Sequence, residues 1–145
     1  MNVGQVCSRH VVSVSPSAPL SQVVRLMQDE HIGAVVVVET AAHSPHVVGI
    51  ITDRDAMCAQ LERTVDLAEI NASDAMTVEP LVLLEHSPID SAIEHLRARG
   101  VRRAPVVDTS GSLVGIVSAD DLLVSLSVVV AGMAGLVARQ TRSEL

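Results

Sequence analysis

The chain has 145 residues, of which 48% are hydrophobic and 19% charged, and this composition favours a packed core over disorder. Phe, Tyr and Trp are absent, which excludes the aromatic stacking that usually holds single-stranded nucleic acids. A formal net charge of −7 also opposes binding to a phosphate backbone, so we expect no nucleic-acid partner.

The first elements predicted along the chain are a strand, a helix and a buried strand. A strand is predicted at residues 11–14. Four apolar residues after Pro19 have the i, i+3, i+4, i+7 spacing of one helix face: Leu20, Val23, Val24 and Met27. The valine run at 35–38, closed by Glu39, predicts a buried strand.

The same order of elements returns in the second half of the chain. With a shift of 69 residues, the segment 7–39 lies on 76–108, and Pro19 falls on Pro88. The second apolar helix face then consists of Ile89, Ala92, Ile93 and Leu96. The valine run falls on residues 104–107, which are closed by Asp108.

After these strands the shift drops to 66, because the connector at 40–46 is three residues longer than its counterpart. Residues 49–55 then match 115–121. Each half is predicted as strand, helix, strand, turn, strand and helix, with the second half starting at a strand 81–84 after a linker at 64–73. Halves this small bury too little surface to be stable alone, so we expect pseudo-twofold packing with two equivalent clefts.

Several short motifs accompany this repeat. Residues 74–77 read Asp-Ala-Met-Thr, residues 105–108 read Pro-Val-Val-Asp, and a Gly-x-x-Thr/Ser-x-x-Asp motif occurs at both 49–55 and 115–121. This order resembles the CBS (cystathionine-β-synthase-type) domain in tandem. The resemblance covers about residues 6–127. The first repeat departs from it at Cys7-Ser8 and Val36, which replace Met-Thr and the strand proline.

The resemblance implies an α/β fold of two CBS repeats, each a small mixed sheet packed against two helices. We expect the first repeat at residues 1–65, the second at 66–127 and a C-terminal helical extension at 128–145, which continues the last helix of the second repeat. The two repeats are expected to be related by pseudo-twofold symmetry.

The repeated Thr/Ser-x-x-Asp motif has two interpretations. Thr52 with Asp55, and Ser118 with Asp121, stand where a strand runs into a helix, which is typical of an N-terminal cap. The resemblance implies that Asp55 and Asp121 bind a ribose, whose two vicinal hydroxyls a carboxylate accepts together. Thr52 and Ser118 are able to cap a helix and contact a ligand at once.

Basic residues near these motifs are candidates for binding phosphate. They are Arg54 inside the first motif, Arg102 and Arg103 before the second middle strand, and His31 near the matching place in the first repeat. Arginine is well suited to bidentate phosphate contacts. Alternatively, Arg102 and Arg103 are solvated residues at a helix end. Asp120 stands where the first motif has Arg54, so the clefts are expected to differ in phosphate tolerance.

The base of such a ligand is expected in an aliphatic slot. The resemblance places backbone groups near Val12 and Leu81 at the edge of the base, with Val35 and Ala104 beside them. The alternative is that all four are ordinary core residues of strands.

Metal and catalytic sites are not expected. His43 and His46 lie in a Ser/Pro loop with no third ligand nearby, whereas zinc needs three or four. Cys7 and Cys58 match no metal or redox spacing. No Ser/His/Asp or Cys/His arrangement stands out, so we expect a protein without catalytic activity.

The C-terminal segment is apolar beyond the repeats. Residues 122–138 carry no charge, and a helix that is apolar all round must be buried against something. Seventeen residues are fewer than the roughly twenty of a membrane span, so we expect a homodimer interface and no membrane. Residues 1–9 show no signal peptide, which favours the cytoplasm.

Two functional hypotheses follow. The first is a regulatory module that binds AMP, ADP, ATP or S-adenosylmethionine between its repeats and signals to an unidentified effector protein by conformational or oligomeric change. The second is a structural dimerisation module with vestigial clefts. Open, positively lined clefts favour the first hypothesis, and clefts filled by Val and Leu side chains favour the second.

Overall fold

A computed structural model describes residues 1–143. Its elements in chain order are α1 (Val3–Val6), β1 (Ser13–Val14), α2 (Leu20–Glu30), β2 (Ala34–Ala41), β3 (Ser44–Thr52), α3 (Asp53–Arg63), a 3₁₀ turn (Leu67–Glu69), α4 (Ala72–Ala75), β4 (Thr77–Val78), β5 (Leu83–Leu84), α5 (Ile89–Arg99), β6 (Arg103–Val107), β7 (Leu113–Ser118) and α6 (Ala119–Ser143). The mixed α/β order predicted from the repeat is confirmed.

Each half of the chain builds one small mixed sheet. In the first sheet β1 is parallel to β2, and β3 is antiparallel to both β2 and β4. In the second sheet β5 is parallel to β6, which is antiparallel to β7. The predicted strands at 11–14 and 81–84 are two residues shorter than expected. Residues 11–12 and 81–82 lie outside the strands, and Val11, Val12 and Leu81 border open clefts.

The segment before each repeat crosses to the sheet of the other repeat. Thr77 pairs with Ile50 in the first sheet, and Ser8 exchanges two backbone hydrogen bonds with Ile116 in the second, of 2.9 and 3.0 Å. The glycine of each repeated motif permits this crossing. A Cβ at Gly49 would collide with the Met76 side chain, and a Cβ at Gly115 would lie 2.7 Å from the Ser8 carbonyl oxygen.

The helices that cover the sheets begin after proline and end at a left-handed residue. Pro19 and Pro88 precede α2 and α5, where a missing backbone N–H costs no helical hydrogen bond. The helices end at His31, with φ 53°, and at Gly100, with φ 64°. The predicted apolar faces are buried through Leu20, Val23 and Met27 in α2 and through Ile89, Ala92 and Leu96 in α5.

Two hydrophobic cores result, and they exchange segments along the chain. Val3, from the first turn of the protein, is fully buried in the core of the second sheet. Ile70 and Ala72 are fully buried in the core of the first sheet. The region predicted as a linker, residues 64–73, is therefore partly a packed element that ties the second half to the first.

The two hairpins meet at their tips. The β2–β3 hairpin has the longer strands and turns through Ala42 and His43, both with positive φ, whereas the β6–β7 hairpin turns through residues 108–112, with Gly111 at positive φ. The connector predicted at 40–46 is therefore mostly strand. His46 bridges to Ser112, which joins the tips. Beside them, hydrogen bonds from Ser110 and Ser112 lower the pKa of Asp108 below its ordinary value. Within residues 1–143 no group of three possible metal ligands occurs. His43 lies exposed in the turn, but His46 is half-buried in β3, so the exposed loop predicted for both histidines is wrong for His46.

Helix α6 differs from its counterpart α3 in length and exposure. It has 25 residues against 11 in α3. Leu122 packs into the second core, but Leu123, Val130 and Met133 are exposed. By length and composition alone α6 is apolar enough to cross a membrane, and little of it is buried against the rest of the chain.

Candidate functional site

Both strand-to-helix junctions are closed by the same pair of hydrogen bonds. Thr52 Oγ1 accepts from the Asp55 N–H at 3.2 Å, and Asp55 Oδ2 accepts from the Thr52 N–H at 2.9 Å. Ser118 and Asp121 repeat the pair at 3.1 and 2.9 Å. The capping interpretation is thus confirmed. Within residues 1–143, Oδ1 of either aspartate accepts no hydrogen bond, so the same carboxylate is able to cap a helix and bind a ligand.

An open cavity of about 410 Å³, which we call cleft 1, lies at the first junction. Both repeats contribute to it. The first repeat supplies Ile50, Thr52, Asp53, Arg54 and Asp55, and the second supplies Thr77, Pro80, Leu81, Arg99, Gly100, Val101, Arg102, Arg103 and Pro105. A molecule in cleft 1 therefore contacts both halves of the chain.

A second cavity, cleft 2, lies at the other junction and has a volume of about 270 Å³. Its lining from the first half is Ser8, His10, Val11, Val12, Ile32, Gly33 and Ala34, and from the second half Arg103, Ile116, Ser118, Asp120 and Asp121. With the shifts of 69 and 66 residues, most of these positions are the counterparts of cleft 1 residues. The two equivalent clefts expected between the halves are present and open.

Three of the four residues predicted to bind phosphate converge in cleft 1. Arg54, Arg102 and Arg103 all line it, and only Arg103 also borders cleft 2. Arg102 Nη2 donates to Asp120 Oδ1 at 3.2 Å, with side chains 76% and 77% exposed, so an ion pair spans the boundary between the clefts. The fourth residue, His31, is exposed at the end of α2 and lines neither cleft.

The residues predicted for the base separate into two groups. Leu81 lines cleft 1 and Val12 lines cleft 2. The side chains of Val35 and Ala104 are fully buried in the two cores, as their core interpretation has it. Side chains alternate along a strand, so the adjacent residues lie under the floors of the clefts, although they too are buried. Ala34 lines cleft 2 and Pro105 lines cleft 1.

Three titratable lining residues were not predicted from the sequence, and one of them is Asp53 in cleft 1. Arg99 at the end of α5 lines cleft 1 and donates to the Glu79 carbonyl oxygen at 2.9 Å. His10 lines cleft 2 and contacts Glu30 at 3.2 Å. Arg99 occupies the position of Glu30 one shift of 69 residues later, and Glu30 lines neither cleft, so the repeat gave no signal for Arg99.

The charges that line the two clefts have opposite sign. Four arginines and two aspartates line cleft 1, which leaves a formal charge of +2. Two aspartates and one arginine line cleft 2, which leaves −1 with His10 neutral. Next to cleft 2, burial raises the pKa of the Cys7 thiol, which therefore stays protonated and poorly nucleophilic at neutral pH.

The largest cavity has a different chemistry from the clefts. It is an apolar groove of about 690 Å³ on the outer faces of α2 and α3, where Met27, Met57 and Leu61 lie. A smaller groove on α5 and α6 includes Ile93 and Leu126. These grooves offer few polar groups to orient a small molecule, so clefts 1 and 2 are the better candidate sites.

Two segments of the chain, residues 3–62 and 72–128, match the family model of the CBS domain. The chain belongs to the CBS-domain family. The segments agree with the two halves of the internal repeat, and the family gives the fold that the sequence motifs predicted.

Curated proteins and solved structures resemble this CBS pair over most of its length. Uncharacterized protein MK0525 of Methanopyrus kandleri is 31% identical over 85% of this chain and 61% of its own length. Inosine-5'-monophosphate dehydrogenase of Thermoplasma acidophilum is 32% identical over 79% of this chain, which spans only 21% of that enzyme and gives no evidence of catalysis here. The crystal structure of CBSX2 in complex with AMP has a TM-score of 0.75 at 22% identity, covering 88% and 97% of the two chains. At that identity the likeness shows the fold.

Proposed function

We propose that this CBS pair is a non-catalytic regulatory module that binds an adenine nucleotide in cleft 1. One observation carries the proposal. Asp55, with an unbonded carboxylate oxygen, and three arginines surround a single open cavity of about 410 Å³. This volume lies within the range of roughly 300–1,000 Å³ that is usual for small-molecule sites. That CBSX2, a protein of the same fold, was solved with AMP supports the class of ligand.

Each part of a nucleotide has a matching group in cleft 1. Asp55 Oδ1 accepts hydrogen bonds from the ribose hydroxyls while Oδ2 keeps its cap on α3. Arg54, Arg102 and Arg103 supply the charge for the phosphate, and half-buried Arg103 is the best placed because it is least screened by water.

The base has an aliphatic slot, since the chain contains no aromatic side chain. Ile50, Leu81 and Pro105 line cleft 1 from both halves. Half-buried Leu81 offers its apolar surface to the face of a purine, and the buried side chains of Ile50 and Pro105 lie beneath it. We expect the base to be recognised by its shape through apolar contacts, and the sugar to make most of the specific hydrogen bonds.

Signalling follows from the shared lining of the cleft. Because residues 50–55 come from one half and residues 77–105 from the other, a bound nucleotide cross-links the two repeats. A ligand shifts an equilibrium only if it binds two arrangements with unequal affinity, so the repeats must move relative to one another on binding. We propose that this movement is transmitted in the cytoplasm to an effector protein through a homodimer.

The dimer proposal depends on α6. Its uncharged segment, residues 122–138, spans about 26 Å at 1.5 Å per residue, which is short of the ~30 Å hydrocarbon core of a bilayer. The first residue of that segment, Leu122, is already 2% exposed in the second core. The remaining apolar surface, including Val130 and Met133, fits packing against the same helix of a second copy better than a membrane crossing.

Calorimetric titration with AMP, ADP and ATP tests the nucleotide proposal. We expect saturable binding, and we expect Asp55→Ala to weaken AMP binding tenfold or more, since about 1.4 kcal/mol corresponds to a factor of ten. Asp55→Ala also removes the reciprocal hydrogen bond of the capping box, from the Thr52 N–H, while Thr52 still caps α3. The cost is about 0.5–1.5 kcal/mol of folding stability, as for a typical hydrogen bond.

A matched control separates capping from binding. Asn71 and Asp74 form a similar capping box on α4, and Asp74 lines neither cleft. Asp74→Ala should therefore lower stability by a similar amount and leave AMP binding unchanged. No heat and no thermal shift with any of the three nucleotides would reject the proposal and favour a dimerisation module with vestigial clefts.

A further inference from the structure

The two clefts share the groups assigned to the sugar. Thr52 and Asp55 in cleft 1 have their counterparts in Ser118 and Asp121, with the same two hydrogen bonds and the same unbonded Oδ1. Each pair is half-buried and lines its own cavity. If cleft 1 recognises a nucleoside by these groups, cleft 2 presents the same recognition.

The opposite end of cleft 2 carries less positive charge than that of cleft 1. The Arg103 guanidinium still reaches it, since a Cβ on Gly33 would lie 3.0 Å from Arg103 Nη1. Three arginines of cleft 1 are replaced at the equivalent positions: Asp120 stands for Arg54, Gly33 for Arg102 and Ala34 for Arg103. The formal charge of the lining falls from +2 in cleft 1 to −1 in cleft 2. The only arginine bordering cleft 2, among the residues that the structure describes, is Arg103, which cleft 1 shares.

The boundary between the clefts adds to this difference. Asp120 is paired with Arg102 across the boundary, but both side chains are more than three-quarters exposed, so the pair is held weakly. A phosphate in cleft 1 competes with Asp120 for Arg102. The volume of cleft 2, about 270 Å³ against 410 Å³, also favours a ligand without a phosphate chain.

We propose that cleft 2 takes a nucleoside-type ligand whose 5′ substituent is neutral or positively charged, while cleft 1 takes the phosphorylated ligand. This inference rests on the proposed function, because it assumes that Asp55 and Asp121 hold a ribose. Asp120 and Asp121 attract a positive 5′ group and repel a phosphate at the same place.

The test is a calorimetric titration of the full chain with three adenosine probes whose 5′ group is negative, neutral or positive. They are AMP, adenosine and 5′-amino-5′-deoxyadenosine. We expect one strong AMP site per chain, weakened tenfold or more by Asp55→Ala and unchanged by Asp121→Ala. The amino analogue should show the reverse dependence, with adenosine between the two. Asp121→Asn, which keeps a side-chain acceptor for the cap, replaces Asp121→Ala if that variant fails to fold.

A gain of function makes the test stricter. Asp120 is exposed, so Asp120→Arg should fold normally, create a second AMP site per chain and weaken the amino analogue. Asp120→Asn, which removes the negative charge without adding a positive one, is the matched control and should leave AMP at one site. Two AMP sites of similar affinity in the unmodified chain, or an amino analogue indifferent to Asp121, would overturn the inference. Failure of all three probes to bind would reject the proposed function itself.

Discussion

The two repeats agree closely inside and differ at their surfaces. Both have a helix after proline, a hairpin, and a strand-to-helix junction closed by the same two hydrogen bonds. The first junction opens on a cationic cleft and leads into α3, which ends at Arg63. The second opens on an acidic cleft and leads into the exposed apolar helix α6. Folding requirements thus keep the two interiors alike, while the surfaces differ in charge and in exposed apolar area.

The pattern has a physical cause. Asp55 and Asp121 complete the capping boxes by accepting from the Thr52 and Ser118 N–H groups, and losing such a hydrogen bond costs about 0.5–1.5 kcal/mol, so a change there affects folding as well as binding. Arg54 and Asp120 are exposed one residue earlier, where substitutions usually change stability by less than about 0.5 kcal/mol. Substitutions at the aspartates assigned to the ribose therefore lower folding stability. The charged residues at the other end of each cleft are able to differ with little effect on folding stability.

The largest effect is expected from the helix that only the second repeat extends. Val130 and Met133 lie one turn apart and are both exposed, so Val130→Glu with Met133→Glu places two carboxylates in the proposed homodimer interface. We expect the unmodified chain to sediment as a dimer and the double variant as a monomer of unchanged helix content.

The control for this variant is Gln140→Glu, which adds a charge to α6 beyond the apolar segment and should leave the dimer intact. A monomeric unmodified chain would contradict the interface. So would co-sedimentation of the unmodified chain, but not the double variant, with phospholipid vesicles, because that result assigns the apolar surface to a membrane.

The second prediction concerns how much each arginine of cleft 1 contributes to AMP affinity. Arg103 is half-buried and Arg102 is 76% exposed, so a phosphate contact with Arg103 is less screened. A hydrogen bond to a charged group contributes about 1.5–3 kcal/mol, and Arg103→Gln should therefore weaken AMP binding about 10- to 100-fold. Arg102→Gln should weaken it by no more than about fivefold, as is usual for exposed pairs.

Calorimetry of these variants decides the ranking, with Arg97→Gln as the matched control. Arg97 lies on the last turn of α5 and lines neither cleft, so its loss changes the net charge without changing the site. Equal losses from Arg97→Gln and Arg103→Gln would show that AMP responds to overall charge only, and would remove the distinction between the clefts.

The repeat was predictable because its signals are local. Proline before an apolar helix face, the valine strands and the capped motifs all act within a few residues, and the shifts of 69 and 66 residues placed them in register. Thr52, Asp55, Ser118 and Asp121 were found in this way, and each lines a cleft.

What the sequence left undecided depends on how the chain packs in three dimensions. The side chains of Val35 and Ala104 alternate into the cores, which a run of apolar residues does not reveal. Arg99 lines cleft 1 only because the first repeat closes over the end of α5. The contact of Arg102 with Asp120 joins positions 18 residues apart, and no motif marks it.

The contact between Arg102 and Asp120 leads to the prediction with the smallest expected change in ligand affinity. It is also the prediction that tests a single ion pair. In the free protein Arg102 partly neutralises Asp120, and a phosphate in cleft 1 draws Arg102 away. The uncompensated Asp120 then attracts a positive ligand into cleft 2 more strongly. Exposed ion pairs contribute about 0.2–1 kcal/mol, so saturating AMP should raise the affinity for 5′-amino-5′-deoxyadenosine by at most about fivefold.

Linkage makes this coupling reciprocal, so the amino analogue must raise AMP affinity by the same factor. Calorimetric titration of each ligand in the presence of the other measures both factors. Arg102→Gln should abolish the coupling even where AMP still binds, because Asp120 then has no partner to lose. If the variant keeps the coupling, the ligands influence one another through the packing of the repeats. The ion pair between Arg102 and Asp120 then plays no part in the coupling.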